Sequence, residues 1–258
     1  MLISCTIQRT SKTYRITGYE EKYKLKTDTK AQKIIYDSLE RVVYIWEKDT
    51  DLIHIYHGQI KKNTIGGSGI SGLNFQKLSD ICLSADGQLL TLDSFGRQIK
   101  KIDKNGNLIG EINLEHEIDP VLLATSLDEK FYIWDENRKE VIILNSRGQK
   151  IETHTDLELE GAECLEVYDD MIAIYDLQNM TTSFFSKYGQ LLDQLNGRCF
   201  CENGIYFKLD DHFIIDLKEN NKFAINPHKW QSLTFQDPEI ILYDGKWTKI
   251  GELKYEHK

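Results

Sequence analysis

The sequence is poor in proline and carries no excess of positive charge. Its three prolines, Pro120, Pro227 and Pro238, are spread over 258 residues. Lys and Arg number 32 against 41 Asp and Glu, which gives a formal net charge of −9. An acidic chain repels the phosphate backbone of nucleic acids unless it forms a local basic patch, and no such patch is evident. We therefore expect no nucleic-acid partner.

Long apolar runs and catalytic motifs are also missing. No stretch reaches the roughly 18 apolar residues that a transmembrane helix needs, so we expect no membrane-spanning segment. The sequence has no G-x-S-x-G nucleophile elbow, and its histidines and cysteines do not cluster at the spacing of metal ligands. We therefore predict no catalytic residue, no metal ion and no cofactor.

What the sequence does contain is a repeat of a short apolar strand that closes on an acidic residue. It recurs at intervals of 34 to 46 residues, and the copies end at Glu47, Asp93, Asp135, Asp176, Asp210 and Asp244. A unit of about 40 residues built from short strands is typical of a β-propeller blade. Six copies in 258 residues predict an all-β fold, a six-bladed β-propeller.

The second repeat shows the pattern most clearly. Its strands are separated by Asp86-Gly87 and Asn105-Gly106, pairs that supply the positive φ angles of tight hairpins. In three consecutive repeats a glycine follows the closing acid by the same number of residues, as in Asp93 and Gly106. Each repeat is therefore predicted to contribute four antiparallel strands.

The repeats divide one domain, residues 1–258, into blades at about 30–66, 75–115, 119–159, 161–197, 198–227 and 228–258. The sixth lacks an outer strand, which we expect residues 1–25 to supply, closing the ring and removing an exposed edge. Ile35, Leu39, Val42 and Trp46 recur at helical spacing, but the repeat register favours two strands joined at Asp37-Ser38.

The repeated acids and the cysteines both have structural explanations. A short carboxylate at the end of a strand is suited to accept hydrogen bonds from the backbone of the following turn. Cys82, Cys164 and Cys199 precede the repeated acids by similar intervals, which predicts that they lie on the innermost strands of three blades. Free thiols packed in a crowded interior would suit a reducing compartment.

Residues 75–112 resemble an NHL-type repeat and its TolB-like six-bladed relatives. The resemblance rests on Phe75, Asp86-Gly87, Asp93, Arg97-Gln98-Ile99 and Asn105-Gly106. It implies six blades around a central channel, and it implies that loops after the second strands share one face with the loops between blades. Little follows about activity, because this architecture serves many functions.

On this geometry, five side chains are predicted to bind a partner on the shared loop face: Phe95, Arg97, Arg138, His212 and Trp247. Aromatic and arginine side chains are enriched in protein-binding hot spots. We expect a non-enzymatic binding or scaffold propeller that recognises a protein or peptide, within a larger complex.

Two alternatives remain open. One is a metal-dependent lactonase-like or esterase-like hydrolase with its site in the central channel. The other is a bacterial envelope lipoprotein, because Leu2-Ile3-Ser4-Cys5 resembles a lipobox in which Cys5 would be lipidated. The sequence as written lacks the apolar leader that export requires, so we expect a cytoplasmic protein, with membrane association only if Cys5 is lipidated.

Overall fold

The computed structural model of this chain describes residues 14–27, 29–70, 72–168, 171–202, 205–209, 213–217, 220–224, 232–236 and 239–257. The lipidation candidate Cys5 and the candidate His212 lie outside these ranges. Within them, no helix is long and apolar enough to span a membrane.

Six four-stranded antiparallel sheets make up the described structure, and each sheet is one blade. A single strand, β1 (Tyr14–Lys26), precedes the first complete sheet. Blade one is formed by β2 (Ala31–Asp37), β3 (Val42–Glu47), β4 (Leu52–His57) and β5 (Ile60–Gly66). Blade two is formed by β6 (Leu78–Leu83), β7 (Leu89–Asp93), β8 (Gln98–Ile102) and β9 (Leu108–Asn113).

The next two blades repeat this order. Blade three is formed by β10 (Pro120–Thr125), β11 (Phe131–Asp135), β12 (Glu140–Leu144) and β13 (Lys150–His154). Blade four is formed by β14 (Ala162–Val167), β15 (Met171–Asp176), β16 (Thr181–Ser186) and β17 (Leu191–Asn196).

Blade five has short strands, whereas blade six includes the long strands β24 and β1. Blade five is formed by β18 (Cys199–Glu202), β19 (Ile205–Leu209), β20 (Phe213–Asp216) and β21 (Asn221–Ala224). Blade six contains β22 (Ser232–Gln236), β23 (Glu239–Tyr243) and β24 (Trp247–His257), and β1 is its outermost strand.

Strand β1 closes the ring as predicted. It pairs antiparallel with β24 along its whole length, from Tyr14 opposite His257 to Lys26 opposite Trp247. This joins the two ends of the described chain in one sheet and covers an edge that would otherwise invite pairing with another chain. The chain is a six-bladed propeller with its last blade closed by the N-terminal strand.

The segment with helical spacing forms two strands. Residues Ala31–Asp37 and Val42–Glu47 pair in register, with Ile34 opposite Ile45 and Asp37 opposite Val42. Val42 and Ile45 are fully buried, because a blade is sandwiched between two neighbours. The preference for strands, which rested on the repeat register, is confirmed.

Apolar packing holds the blades to each other. The buried side chains form six clusters, and each cluster combines residues from two adjacent blades. Trp134, Phe184 and Phe207 are among the largest fully buried side chains. Burying a side chain of this kind contributes on the order of 1.5–3 kcal/mol, so the stability of each blade depends on its neighbours.

Buried aspartates at the ends of the second strands fix the turns. Asp93 accepts backbone hydrogen bonds from Gln76, Lys77 and Gly96 at 2.8–3.0 Å. The first two donors lie in the junction that enters the blade, and the third lies in the turn that follows the aspartate. One carboxylate therefore holds two loops against the end of one strand.

The same arrangement recurs in other blades. Asp176 accepts from the amides of Glu160, Gly161, Gln178 and Asn179. Asp135 and Asp244 each accept two amides of their following turn. Burial raises the pKa of Asp176, but these hydrogen bonds outweigh it and hold the pKa below its usual value. The turn-capping prediction is confirmed for these aspartates; Asp210 lies outside the described residues.

Blade one differs because its closing residue is a glutamate. Glu47 accepts from the hydroxyl of Thr29 at 2.6 Å and contacts the ring of His54 at 3.3 Å. Asp51, four residues later, accepts the amide of Leu78 at 2.9 Å and so reinforces the junction into blade two that Asp93 also holds. The longer side chain of Glu47 thus contacts side-chain groups, whereas Asp93 and Asp176 accept backbone amides.

The recurring glycines are required by both conformation and space. Gly106 and Gly189 have φ angles of 88° and 77°, which side-chain-bearing residues rarely adopt. A Cβ atom at Gly189 would lie 2.9 Å from the ring of His154 in the preceding blade. The turn between the third and fourth strands therefore packs directly against the neighbouring outer strand.

We predict that Asp93→Ala destabilises the fold by at least about 2 kcal/mol, because it leaves three buried or half-buried amides without their acceptor. Urea unfolding followed by circular dichroism measures the change. The control is Asp86→Ala, which removes an exposed turn aspartate bonded to the side chains of Ser84 and Gln88. Equal midpoints for the two variants would contradict a structural role for Asp93.

Candidate functional site

The turns after the second strands and the junctions between blades lie at the same end of the propeller, because each first strand begins beside the end of its second strand. Pro120 pairs with Asp135, and Leu78 pairs with Asp93. We call this end the loop face. Two regions are candidates for function: the loop face, and the channel lined by the first strands.

Phe95 is exposed on the loop face. It follows Asp93 in the capped turn, its relative exposure is 64%, and the Nζ atom of Lys77 lies 5.1 Å from its ring centroid. Arg97, two residues later, donates from Nε to the carbonyl oxygen of Ile118 at 3.1 Å. The turn thus presents an aromatic ring beside the ammonium group of Lys77, and Arg97 extends from it to the next junction.

Arg138 occupies the corresponding turn of blade three. Its Nη2 atom lies 2.9 Å from Glu117, and its Nη1 atom lies 3.6 Å from Glu140. Arg97 and Arg138 therefore both reach the junction between blades two and three, at residues 117 and 118. The structure brings Phe95, Arg97 and Arg138 into one region of the loop face.

Trp247 lies elsewhere on this face. It begins β24 in blade six, is half-buried, and has the Nζ atom of Lys24 at 4.3 Å from its ring centroid. Its backbone amide donates to Asp244 at 2.7 Å. Lys24 comes from β1, so Trp247 also takes part in the closure of the ring.

Three exposed apolar side chains on the loop face escaped the sequence reasoning. Leu177 and Met180 lie in the capped turn of blade four, with relative exposures of 52% and 63%. Ile70, in the junction between blades one and two, is also exposed. The sequence could have indicated Leu177 and Met180, because they follow the repeated Asp176 in the same way that Phe95 follows Asp93.

The central channel contains a cavity of about 300 Å³ between the first strands of blades one to four. These strands contact one another in ring order. Each carries a β-bulge opposite its second strand, at Gln32, Ser79, Val121 and Glu163. Bulges redirect the side chains that follow, and here Lys33 and Cys164 come next and line the cavity.

One wall of the channel is a buried ion pair. Lys33 of blade one lies 2.7 Å from Asp80 of blade two. Asp80 also accepts the amide of Leu123 in blade three at 2.9 Å, so a single carboxylate ties three blades together. Burial lowers the pKa of Lys33, but the attraction of Asp80 outweighs it and leaves the pKa above its usual value.

The opposite wall is a cluster formed by blades four and five. The Nη2 atom of Arg198 donates to the sulfur of Cys164 at 3.3 Å and lies 4.0 Å from Oε1 of Glu166. The hydroxyl of Tyr168 donates to Oε2 of Glu166 at 2.6 Å. Burial raises the pKa of Glu166 above its usual value, which favours the neutral carboxylic acid.

The channel cysteines are predominantly thiols at neutral pH. Burial raises the pKa of Cys164 to about 12, and it also raises the pKa of Cys82 well above its usual value. Cys199, on β18, has a pKa raised to about 11 by burial. All three lie on first strands, as predicted, and with Cys201 they are free. The thiolate is the nucleophilic form, so these cysteines are poorly suited to nucleophilic catalysis.

No group of three His, Cys, Asp or Glu side chains within the described ranges is arranged to hold a metal ion. The aspartates at the strand ends are occupied by backbone amides, as the hydrogen bonds of Asp93 and Asp176 show. The charged and polar groups of the channel in this part of the chain are Arg198, Lys33, Asp80, which is paired with Lys33, and Glu166, which is bonded to Tyr168.

Comparison with solved structures places this arrangement among known propellers. The chain superposes on the virginiamycin B lyase of Staphylococcus aureus with a TM-score of 0.57 and 10% identity, over 92% of this chain and 99% of that chain. The two chains share the propeller fold. The sequence itself matches no protein-family model and no curated protein at a significant level.

Two further solved structures resemble the chain to a similar degree. BBS1N, solved in complex with ARL6DN, has a TM-score of 0.56 at 12% identity and covers 93% of this chain and 98% of its own. The Pan2 WD40 domain of Neurospora crassa has a TM-score of 0.59 at 10% identity, covering 94% and 96%. At these identities the likeness establishes the fold alone.

We predict that Cys82, Cys164 and Cys199 resist alkylation by iodoacetamide in the folded protein near pH 8 and react fully in urea, because burial keeps them protonated. Mass spectrometry of labelled peptides measures the rate at each position. Ser146→Cys, which places a thiol in an exposed turn, is the positive control. Labelling of Cys164 at the rate of the control would contradict the burial described here.

We predict that Glu166→Gln changes how stability depends on pH. The folded state holds the Glu166 proton to higher pH than the unfolded chain, whose value is about 4.3. Its contribution to stability therefore falls as pH rises from that value through the raised folded pKa, and Gln removes this loss. Urea unfolding at several pH values should show the variant gaining relative to wild type with rising pH. Exposed Glu111→Gln is the control, and its stability relative to wild type should not change with pH. If the stability difference between Glu166→Gln and wild type is equally independent of pH, the prediction is wrong.

Proposed function

We propose that this chain is a non-enzymatic propeller that binds a protein or peptide partner through its loop face, as a scaffold or subunit of a larger assembly. The observation that supports this most is the exposure of Phe95, Leu177 and Met180 in equivalent capped turns of blades two and four. Large apolar side chains held in rigid turns cost little conformational entropy when a partner covers them.

The charges around these side chains suit the same role. Lys77 lies over the ring of Phe95, and Arg97 of the same turn reaches the carbonyl oxygen of Ile118, while Arg138 is balanced by Glu117 at the neighbouring turn. Aromatic and arginine residues dominate the energetics of many protein interfaces, and a polar rim sets orientation. The described part of the loop face therefore offers apolar anchors with cationic groups next to them.

The structural neighbours support the proposal by example. BBS1N was solved in a complex with ARL6DN, so a propeller of similar shape does engage a protein partner. This chain shares the shape and not the sequence of that protein. The comparison supports the class of function and leaves the identity of the partner to experiment.

We expect Phe95→Ala, and separately Leu177→Ser with Met180→Ser, to lower recovery of a specific partner at least about tenfold, because each removes an exposed anchor. The tagged variants would be used as baits in an extract of the native source, and recovered proteins would be quantified by mass spectrometry. Circular dichroism would check that each variant is folded.

The matched control is Leu39→Ser, which changes a side chain with 86% relative exposure in a turn at the opposite end of the propeller. It should leave recovery unchanged. Loss of the partner with Leu39→Ser, but not with the loop-face variants, would place the interface at the opposite end and overturn the proposal.

A further inference from the structure

The two cationic groups of the channel have different counter-charges. Lys33 is matched by Asp80, whose two oxygens are committed to Lys33, to the amide of Ile81 at 2.8 Å and to the amide of Leu123 at 2.9 Å. This pair is locally neutral and fixed by backbone hydrogen bonds. It forms a structural wall of the channel.

Arg198 is not matched in the same way. A guanidinium has five N–H donors, and the hydrogen bond found for it within the described residues goes to the sulfur of Cys164, a weak acceptor. Its Nε atom is buried and lacks a hydrogen-bond partner in that part of the structure. The ring of Phe200 lies 5.5 Å from its central carbon and helps to hold the group in place.

Glu166 is a weak counter-charge for this arginine. It lies 4.0 Å from Nη2 of Arg198, beyond hydrogen-bonding distance, while its oxygens accept hydrogen bonds from Tyr168 and Cys164. Burial favours its protonated form. When Glu166 is protonated, Arg198 faces the cavity with no ion-paired carboxylate among the described residues, and Glu163 attracts it from a greater distance.

Apolar side chains form much of the remaining wall, together with the hydroxyl groups of Ser84, Thr125 and Ser126. Leu83, Leu123, Leu165 and Val167 line the cavity below the charged groups. A second cavity, of about 420 Å³ between blades three and four, shares Ser126, Leu127, Val167 and Tyr168 with the first. The channel therefore opens, at the end opposite the loop face, into a groove that Asp128, Lys130, Glu152 and Lys187 also line, so the space for an apolar chain is the first cavity.

We propose that the channel is a binding site for a small organic monocarboxylate with an apolar chain. The carboxylate would accept a paired hydrogen bond from Arg198, and the chain would lie against the leucine and valine side chains toward the mouth. A single negative charge fits better than two, because Asp80 already neutralises Lys33, which leaves Arg198 as the available cation in the described lining of the cavity. This site is independent of the loop face.

Titration calorimetry of the full chain with hexanoate and with the neutral hexanamide tests the proposal. Hexanoate should bind saturably with a dissociation constant of about 1 mM or tighter, and hexanamide at least about tenfold more weakly. Arg198→Met should abolish the preference for the acid. Arg138→Met, which removes a loop-face arginine, should leave it unchanged.

The dependence on pH provides a second arm that does not require removal of Arg198. The other titratable groups lining the cavity are Lys33, Asp80, Cys82, Cys164 and Tyr168, and β10 contributes none. Glu163 lies near Arg198, and the adjoining groove adds Asp128, Lys130, Glu152 and Lys187. Since ionised Glu166 would repel a bound carboxylate, hexanoate affinity should fall as Glu166 ionises. Glu166→Gln should bind hexanoate more tightly than wild type near pH 7 and lose this dependence.

Three outcomes would overturn the proposal. The first is no saturable binding of hexanoate at about 10 mM. The second is equal affinity for hexanoate and hexanamide, which would show an apolar cavity that ignores charge. The third is an Arg198→Met variant that is folded and retains the preference for the acid.

Discussion

The constraint on which this structure depends is the buried carboxylate at the end of the second strand. In blades two and four it accepts amide hydrogen bonds from the junction that enters the blade and from the turn that leaves the strand, as Asp93 and Asp176 show. An aspartate reaches both loops because its side chain is short, and burial makes each charged hydrogen bond costly to lose. Neither loop can move without breaking its hydrogen bonds to the carboxylate that also holds the other loop. Each blade therefore keeps its shape when it packs against its neighbours.

Because the blades have a fixed shape, the loop face and the central channel can carry different side chains. On the loop face the capped turns hold Phe95 and Met180 out in solvent, where apolar groups gain most by association. In the channel, first strands from separate blades bring Lys33 beside Asp80 and Arg198 beside Cys164. Neither region uses the repeated aspartates Asp93, Asp135, Asp176 and Asp244, because backbone amides donate to each of them.

The features that could be predicted from the sequence are those that repeat locally. The aspartates, the turn glycines and the alternation of short strands recur at fixed spacing, so blade number, ring closure and turn capping followed from the residues. The channel did not, because Lys33, Asp80 and Arg198 belong to different repeats and are brought together by ring curvature and by bulges at Gln32 and Ser79. Trp247 was predicted among the exposed anchors, and it lies half-buried because β1 brings Lys24 over its ring from the other end of the described chain. Long-range pairing of this kind leaves no local pattern.

Native-state hydrogen exchange tests the central claim most directly. If buried carboxylates fix the loops, the amides of Gln76, Lys77 and Gly96 should exchange about as slowly as the amides of the adjoining strand β7, although all three lie outside strands. The amide of Tyr188, which donates to the hydroxyl of Ser186 in an exposed turn, provides the internal reference and should exchange much faster. Exchange of the three amides at the rate of Tyr188 would show that the carboxylate does not hold the loops, and would contradict the account.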